Sequence, residues 1–239
     1  MHIFIVCYNE AIMIPHTVAH YRSRFPECKI TIFDNESTDN SVALAVSLGC
    51  SVKPLETGGI LNEFVLSELR NTSWKGADDW VIVCDMDEWL CVNESQIHME
   101  EEQGTSILKV VGYNIIANSL EQNLSDLDLQ NLTMGMFNPY ECKNICFDTR
   151  KIHDINFSLG AHSCSPSGLV KFSEKDYALK HMDELGVPYK CYKNTLRYER
   201  SLAMRTQYGM CNHYVQDEQI LRDTLTKLLS EATDLSDVL

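Results

Sequence analysis

Residues 80–88 read Trp-Val-Ile-Val-Cys-Asp-Met-Asp-Glu, so acidic side chains follow directly on five mostly apolar residues. An apolar run of this kind predicts a strand buried in a sheet, and the acidic residues then lie where that strand ends. In an extended chain, residues two apart face the same way, so Asp85 and Asp87 could bind one hard cation, which could in turn hold a diphosphate. Short acidic motifs are common, and it is the position behind a buried strand that favours a functional role.

The first hundred residues alternate short apolar runs with longer amphipathic stretches, which is typical of β-α-β units. Right-handed crossovers between such units produce a mostly parallel sheet. The sequence therefore predicts an α/β protein. The predicted strands cover residues 2–7, 29–33, 51–53 and 80–84, and the predicted helices cover residues 14–24, 41–48 and 60–70.

Three of these strands end in polar residues, namely Tyr8-Asn9-Glu10, Asp34-Asn35 and Asp85-Met86-Asp87. The carboxyl ends of parallel strands share one edge of a sheet, and ligands bind in the crevice at that edge. We therefore expect the three segments to line one ligand site. The chain has no G-x-G-x-x-G after the first strand and no Walker-type G-x-x-x-x-G-K, so a phosphate site would depend on a metal ion.

The pattern changes after Leu90. A long strand is predicted over residues 105–116, and shorter strands over 144–147, 155–162 and 169–172, with helices from Lys175 onward. We expect residues 1–174 to form the core domain and residues 175–239 to form a helical extension that packs on it. The acidic end, from about residue 230, is expected to be loosely ordered.

Composition excludes some functions and favours one location. The 239 residues carry a formal charge of −14, which disfavours nucleic acid or an anionic membrane surface as the main partner. No apolar run approaches the roughly 20 residues that a membrane-spanning helix needs. The ten Cys residues are scattered, several of them in apolar runs, which favours reduced thiols. With no basic leader at the start, these features predict a cytoplasmic protein.

The sequence leaves the role of several further polar residues open. Arg70-Asn71 ends a predicted helix, where the arginine either binds a phosphate or carboxylate or simply complements the helix dipole. His162 lies among small residues and is either a structural hydrogen-bonding residue or a third metal ligand. Lys180-His181 and residues 212–214 could close over a diphosphate, but we expect them to be ordinary surface residues.

Four segments together resemble the glycosyltransferase family 2 group with the GT-A fold, a Rossmann-like α/β architecture. They are Cys-Tyr-Asn-Glu at 7–10, Asp-Asn-Glu-Ser-Thr-Asp at 34–39, Arg-Asn at 70–71 and Asp-Met-Asp-Glu-Trp at 85–89. The resemblance is closest to the branch whose fourth strand ends in D-x-D-E-[FW], found in bacteria and large DNA viruses. It continues weakly to Gly160-Ala161-His162, and it implies that residues 1–174 bind a nucleotide sugar and carry the catalytic site.

The resemblance implies a metal-dependent hexosyltransferase. Such an enzyme moves a sugar from a nucleotide diphosphate donor, commonly a UDP-sugar, to a hydroxyl of a glycan or glycoprotein acceptor. Mn²⁺ or Mg²⁺ then bridges the D-x-D carboxylates and the diphosphate. The implied contacts are Tyr8, Asn9, Glu10 and Asp34 to the nucleoside, Arg70 and Asn71 along the donor cleft, Asp85 to ribose and metal, Asp87 to the metal, and His162 to metal or phosphate.

Asp87 and Glu88 are the expected catalytic residues, but the sequence leaves the general base open. An inverting enzyme needs a carboxylate within reach of the acceptor hydroxyl, whereas a retaining enzyme does not. Glu88, Glu141, Asp148 and Asp154 are the candidates. Two other classes use similar parts. A sugar nucleotidyltransferase ordinarily needs a basic Gly-rich loop after the first strand, and a non-catalytic nucleotide- or glycan-binding module would bind without turnover.

Overall fold

The computed structural model describes residues 1–214 and 216–239, and in this part of the chain ten strands form one central sheet with helices packed on it. The strands are β1 His2–Cys7, β2 Lys29–Asp34, β3 Ser51–Pro54, β4 Trp80–Asp85, β5 Glu88–Leu90, β6 Ile107–Ile116, β7 Met134–Phe137, β8 Cys146–Asp148, β9 Ile152–Asp154, β10 Ser167–Gly168, β11 Phe172–Glu184 and β12 Thr233–Asp234. The helices are α1 Ile14–Arg24, α2 Ser41–Ser47, α3 Glu63–Thr72, α4 Glu94–Glu102, α5 Val187–Arg200, α6 Leu202–Tyr208 and α7 Glu218–Glu231.

The first four strands are parallel, in the order β3-β2-β1-β4, and the predicted strands and helices of this region are confirmed. The register sets Asp34 opposite Cys7 and Asp85 opposite Val6, so the polar strand ends meet at one edge. β4 is apolar through Cys84 and almost wholly buried, because helices or other strands cover both faces of a parallel strand.

Helix boundaries follow from local chemistry. α1 begins at Ile14 and has Pro15 in its first turn, where a backbone N–H would have no helical partner in any case. α3 begins after Asn62, whose side-chain oxygen accepts from the backbone N–H groups of Phe64 and Val65 at 3.1 and 3.3 Å. α3 therefore starts at Glu63, three residues later than the predicted helix.

The other half of the sheet is built mainly from antiparallel pairs that continue from β4 through β8, β6 and β7 to β12. β11 pairs in parallel with β6 and antiparallel with β5, which directly follows the acidic residues. The sheet thus extends well beyond the parallel core. None of the helices in the described residues has the length and apolarity to cross a bilayer.

The prediction of helices from Lys175 onward is wrong for residues 175–184, which belong to β11, and the helices begin at Val187. The sequence pattern did not reveal this strand because several of its buried side chains are polar or charged. Lys180 is 4% exposed, and its ammonium donates to the carbonyls of Gln130 and Leu132 at 3.2 and 2.8 Å. Charged residues with buried partners give no strand alternation that a sequence pattern can show.

Two shorter predictions are also corrected. The described residues 155–162, which were expected to form a strand, form none. A short 3-10 helix covers Leu159–Ala161 instead, and Gly160 within it has φ 69°. The acidic end is not loose, because β12 pairs with β7, and Leu235 is buried against the core. Leu235, Leu239 and the two-residue ladder therefore tie this end of the chain to the sheet.

Leu235→Ala should lower the free energy of unfolding by about 2–3 kcal/mol, since it removes a buried side chain and leaves a cavity. Urea denaturation followed by circular dichroism measures this loss. Val238→Ala is the matched control, because Val238 is 51% exposed and its truncation should change stability by less than about 0.5 kcal/mol. Equal effects of the two substitutions would show that the terminus does not pack on the sheet.

Candidate active site

A cavity of about 640 Å³ opens at the carboxyl ends of β1 and β4, and α5 lies across it. Most of the predicted site residues line it together: Tyr8, Asn9, Glu10, Arg70, Asp85, Asp87, Glu88 and His162. Residues that the sequence left as surface groups, His181 and His213, line it as well. The convergence expected from the strand ends is therefore present in the structure.

Asp85 is held by α3. The Nη2 of Arg70 donates to both carboxylate oxygens of Asp85, at 2.8 and 3.1 Å, and Arg70 is 6% exposed. Burial alone would raise the pKa of Asp85, but the adjoining guanidinium lowers it below its usual value. Arg70 therefore keeps Asp85 ionised in the cavity lining.

Asp87 is held by α5. Its Oδ2 accepts from the ammonium of Lys193 and, at 3.2 Å, from Nη2 of Arg197, while Nε2 of His181 lies 3.8 Å away. Burial would raise the pKa of Asp87, yet Lys193, His181 and Arg197 together lower it. Asp183 on β11 contacts the same cations, at 3.5 Å from Lys193 and 3.4 Å from Arg197.

Glu88 is held by Lys143. The ammonium of Lys143 lies 2.5 Å from Glu88 Oε1 and 2.9 Å from Glu141 Oε2. Burial raises the pKa of Glu88 in spite of this ammonium. The other oxygen of Glu88 accepts from the backbone N–H of Asp85 at 2.9 Å, so Glu88 also orients the acidic turn.

The outer end of the cavity is formed by the loop after β1. The side-chain oxygen of Asn9 accepts from the N–H of Thr38 at 2.7 Å, which holds Asn9 at φ 51°, a conformation that Asn tolerates well. Arg200 of α5 stacks 3.4 Å from the ring centroid of Tyr8 and donates to Asn35 at 2.5 Å. This end therefore presents the planar groups of Tyr8 and Arg200, on which a base could stack, while the amides of Asn9 and Asn35 are held by the protein.

Two predicted donor contacts lie outside the cavity lining. Asp34 accepts from the N–H of Ser37 at 3.2 Å and has one buried oxygen without a hydrogen-bond partner. Asn71 bonds the backbone of Phe157 through both ends of its amide, at 2.7 and 3.1 Å. In this arrangement Asp34 shapes the turn before α2, and Asn71 ties α3 to the 157 loop.

The candidates for the general base separate by position. Asp148 is buried beside Arg150, and Asp154 is exposed beside Lys75, so neither lines the cavity. Glu141 does line it, with Lys143 as its partner.

The expected divalent cation was tested against the side chains that are present. Eight Asp or Glu and six Lys or Arg of the described residues line the cavity, which leaves a formal excess of two negative charges. Asp85 and Asp87 supply the oxygen ligands that Mg²⁺ and Mn²⁺ prefer, and Mg²⁺ commonly needs only one or two carboxylates because water and substrate phosphates complete its shell. The residues therefore fit such an ion, provided that Lys193 and Arg197 yield Asp87.

The structure does not bring a third protein ligand to the two aspartates in the described residues. No group of three or more His, Cys, Asp or Glu side chains within residues 1–214 and 216–239 could hold a metal ion. His162 lines the cavity, but its Nδ1 lies 2.7 Å from the carbonyl of Tyr140 and so donates to it. The role of His162 as a further ligand stays a prediction.

Sequence reasoning missed the cations of α5. Lys190, Lys193, Arg197 and Arg200 are spaced by three, four and three residues, which places them on one face of a helix. The spacing was a usable signal, but a cationic helix face ordinarily indicates a solvated surface. Lys193 is instead buried, with 3% of its surface exposed.

Comparison with known proteins identifies the architecture. No family model and no curated protein matches the sequence. Among solved structures, S. aureus TarS superimposes with a TM-score of 0.50 at 14% identity, over 94% of this chain and 47% of that one. The chain has the GT-A fold. A 1–349 fragment of TarS with UDP gives a TM-score of 0.48 at 13% identity, over 95% of this chain and 79% of that one.

The galactosyltransferase LgtC, in complex with donor and acceptor sugar analogues, gives a TM-score of 0.34 at 12% identity over 46% of each chain. This chain spans about half the length of the first TarS structure. At these identities the likeness shows the fold alone. The predicted GT-A class is confirmed, while the D-x-D-E-[FW] branch stays a prediction.

Lys143→Met should cost about 3 kcal/mol of stability, because it leaves Glu88 and Glu141 buried without their shared cation. The double variant Lys143→Met/Glu88→Gln should lose less than Lys143→Met alone, since it removes one of the stranded charges. Urea titrations of wild type, both single variants and the double variant measure the coupling. Strictly additive losses would contradict the ion pair.

Glu10 should make stability depend on pH. Burial raises the pKa of Glu10 to about 7, with the attraction of Lys193 opposing the rise. The folded protein then holds a proton that the unfolded chain loses near pH 4.5, so this stabilisation is present below pH 4.5 and is lost as pH rises through 7. Glu10→Gln cannot ionise, so its stability relative to wild type should increase from pH 5 to pH 8, by on the order of 2 kcal/mol.

The same unfolding titrations at pH 5, 6.5 and 8 provide the test. Glu27→Gln, on the exposed turn after α1, is the control and should show no such trend. A constant difference between wild type and Glu10→Gln across these pH values would remove the assignment.

Proposed function

We propose that the protein is a glycosyltransferase that moves a sugar from a nucleoside diphosphate donor, with uridine as the favoured base, to a hydroxyl of a glycan acceptor. The observation that carries this proposal is the meeting of Asp85 and Asp87 with the cations of α5 and α3 in one cavity at the strand ends of a GT-A fold. The expectation from the sequence resemblance supports the same activity.

The cavity has a chemical gradient that matches such a donor. Tyr8 and Arg200 at one end offer planar groups on which a nucleoside base can stack. Arg70, Lys193 and Arg197 further in offer charge to a diphosphate, and Arg and Lys are the residues that bind phosphate oxygens most readily.

Asp85 and Asp87 would hold the divalent cation, which supplies charge stabilisation for the leaving diphosphate. Arg70 keeps Asp85 ionised and fixed in position, since its Nη2 contacts both oxygens of that carboxylate. Glu88 orients the turn between the two aspartates through the N–H of Asp85. These side chains therefore preorganise the charges before the donor binds.

Glu141 is the carboxylate that we propose as general base if the reaction inverts. Of the three downstream candidates it is the one that lines the cavity. Its Oε2 is buried and has no hydrogen-bond partner, although Lys143 lies 2.9 Å away as an ion-pair partner. A carboxylate oxygen of this kind can accept a proton from an acceptor hydroxyl within hydrogen-bond reach.

A panel of nucleotide sugars, with and without MnCl₂, tests the proposal by thermal shift and by release of nucleoside diphosphate. One donor should raise the melting temperature and be turned over. Asp87→Asn should lower turnover at least 100-fold, because it removes charge from the centre of the site. Asp154→Asn is the matched control, since Asp154 is exposed and outside the cavity, and its turnover should equal wild type.

The outcomes separate the classes. Binding of a donor without any turnover in the presence of glycan acceptors would indicate a binding module. Formation of a sugar nucleotide from a nucleoside triphosphate would indicate a nucleotidyltransferase. No response to any nucleotide sugar would remove the proposal.

A further inference from the structure

Asp87 has two kinds of partner that exclude one another. Its Oδ2 is the atom that both Lys193 and Arg197 contact, and Asp87 is 2% exposed. A divalent cation on the same carboxylate would lie beside two positive side chains and be repelled by both. Lys193 and Arg197 also contact Asp183, at 3.5 and 3.4 Å, so release of Asp87 would still leave each of them this carboxylate, and a second anion in the cavity would replace the contact that is lost.

Both cations face the cavity that a second anion would enter. Lys193 and Arg197 lie on the cavity-facing side of α5, and both line the cavity together with Asp85. Arg197 is the less confined, with its side chain 26% exposed against 3% for Lys193. Both have long, unbranched stems, so rotation about the side-chain bonds can change which anion the charged end contacts.

The charge balance of the cavity supports the same conclusion. Its lining carries a formal excess of two negative charges, so a diphosphate that entered alone would add to the repulsion. A dication that entered alone would meet Lys193 and Arg197. A sugar-linked diphosphate carries two negative charges and the dication two positive ones, so entry of both together leaves the charge of the cavity unchanged.

We propose that Lys193 and Arg197 are donor-binding residues that exchange partners: they hold Asp87 in the ligand-free protein and turn to the donor's diphosphate when Asp87 binds the divalent cation. This inference rests on the proposed function. It makes the binding of metal and of diphosphate cooperative, because each ligand frees the partner that the other needs. It also assigns α5 the role of a latch on the acidic motif.

Mn²⁺ and UDP binding to the whole protein test this exchange, with Mn²⁺ followed by electron paramagnetic resonance and UDP by calorimetry. In wild type, saturating UDP should tighten Mn²⁺ binding at least tenfold. Arg197→Gln should have opposite effects on the two ligands. Mn²⁺ alone should bind at least threefold tighter, since a competitor for Asp87 is gone, and UDP with Mn²⁺ should bind at least tenfold weaker.

Lys193→Gln should act in the same directions, and circular dichroism establishes that each variant is folded. Arg197→Gln is the safer of the two, because Arg197 is partly exposed. Lys227→Gln on α7 is the matched control, as it removes the same charge from a side chain that is 74% exposed, and both affinities should equal wild type. Uridine, which lacks phosphates, should bind wild type and Arg197→Gln within twofold.

The failures are distinguishable. If UDP binds but Arg197→Gln changes neither affinity, or shifts both in the same direction, the exchange is wrong and the glycosyltransferase proposal stands. If no nucleoside diphosphate or nucleotide sugar binds with or without Mn²⁺, the proposed function and the exchange are both removed.

Discussion

The charged cluster of Asp87 and Asp183 with Lys193 and Arg197 is the interaction on which the cavity depends. It joins the acidic turn behind β4 to α5, more than a hundred residues later in the chain. Asp87 and Lys193 are almost fully buried, and a buried charge without any partner would be strongly destabilising. Because these contacts hold α5 against the acidic turn, the helix lies across the strand ends and forms one wall of the cavity. Arg197 and Asp183 extend the same contact along the helix and β11.

The acidic motif has a structural role beyond any role in binding. Its three carboxylates point to three different elements: Asp85 to Arg70 on α3, Asp87 to Lys193 on α5, and Glu88 to Lys143 before β8. Four residues of the chain therefore fasten three distant segments around one turn. Buried ion pairs are weak evidence of stability, and what these three pairs do is fix which segments meet around the acidic turn.

The parallel core and its helices were predictable because their signals are local. Apolar runs and amphipathic periodicity identified β1 to β4 and α1 to α3, and the rule for strand ends identified the site edge. β11 was not predictable in this way. Lys180, Asp183 and Glu184 are buried in that strand, and their partners lie on other elements. The local sequence therefore lacks the alternation of apolar and polar residues that indicates a strand.

By itself the sequence determined the α/β class, the edge at which polar residues collect, and the expectation of an acidic cation-binding motif. Only the tertiary structure decided which charge each carboxylate meets, that Asn71 and Asp34 face loops rather than the cavity, and that His181 belongs to the site. The reason is physical. Periodicity and capping act between residues a few positions apart, whereas ion pairs form between whichever charges the folded sheet and α5 bring within about 4 Å.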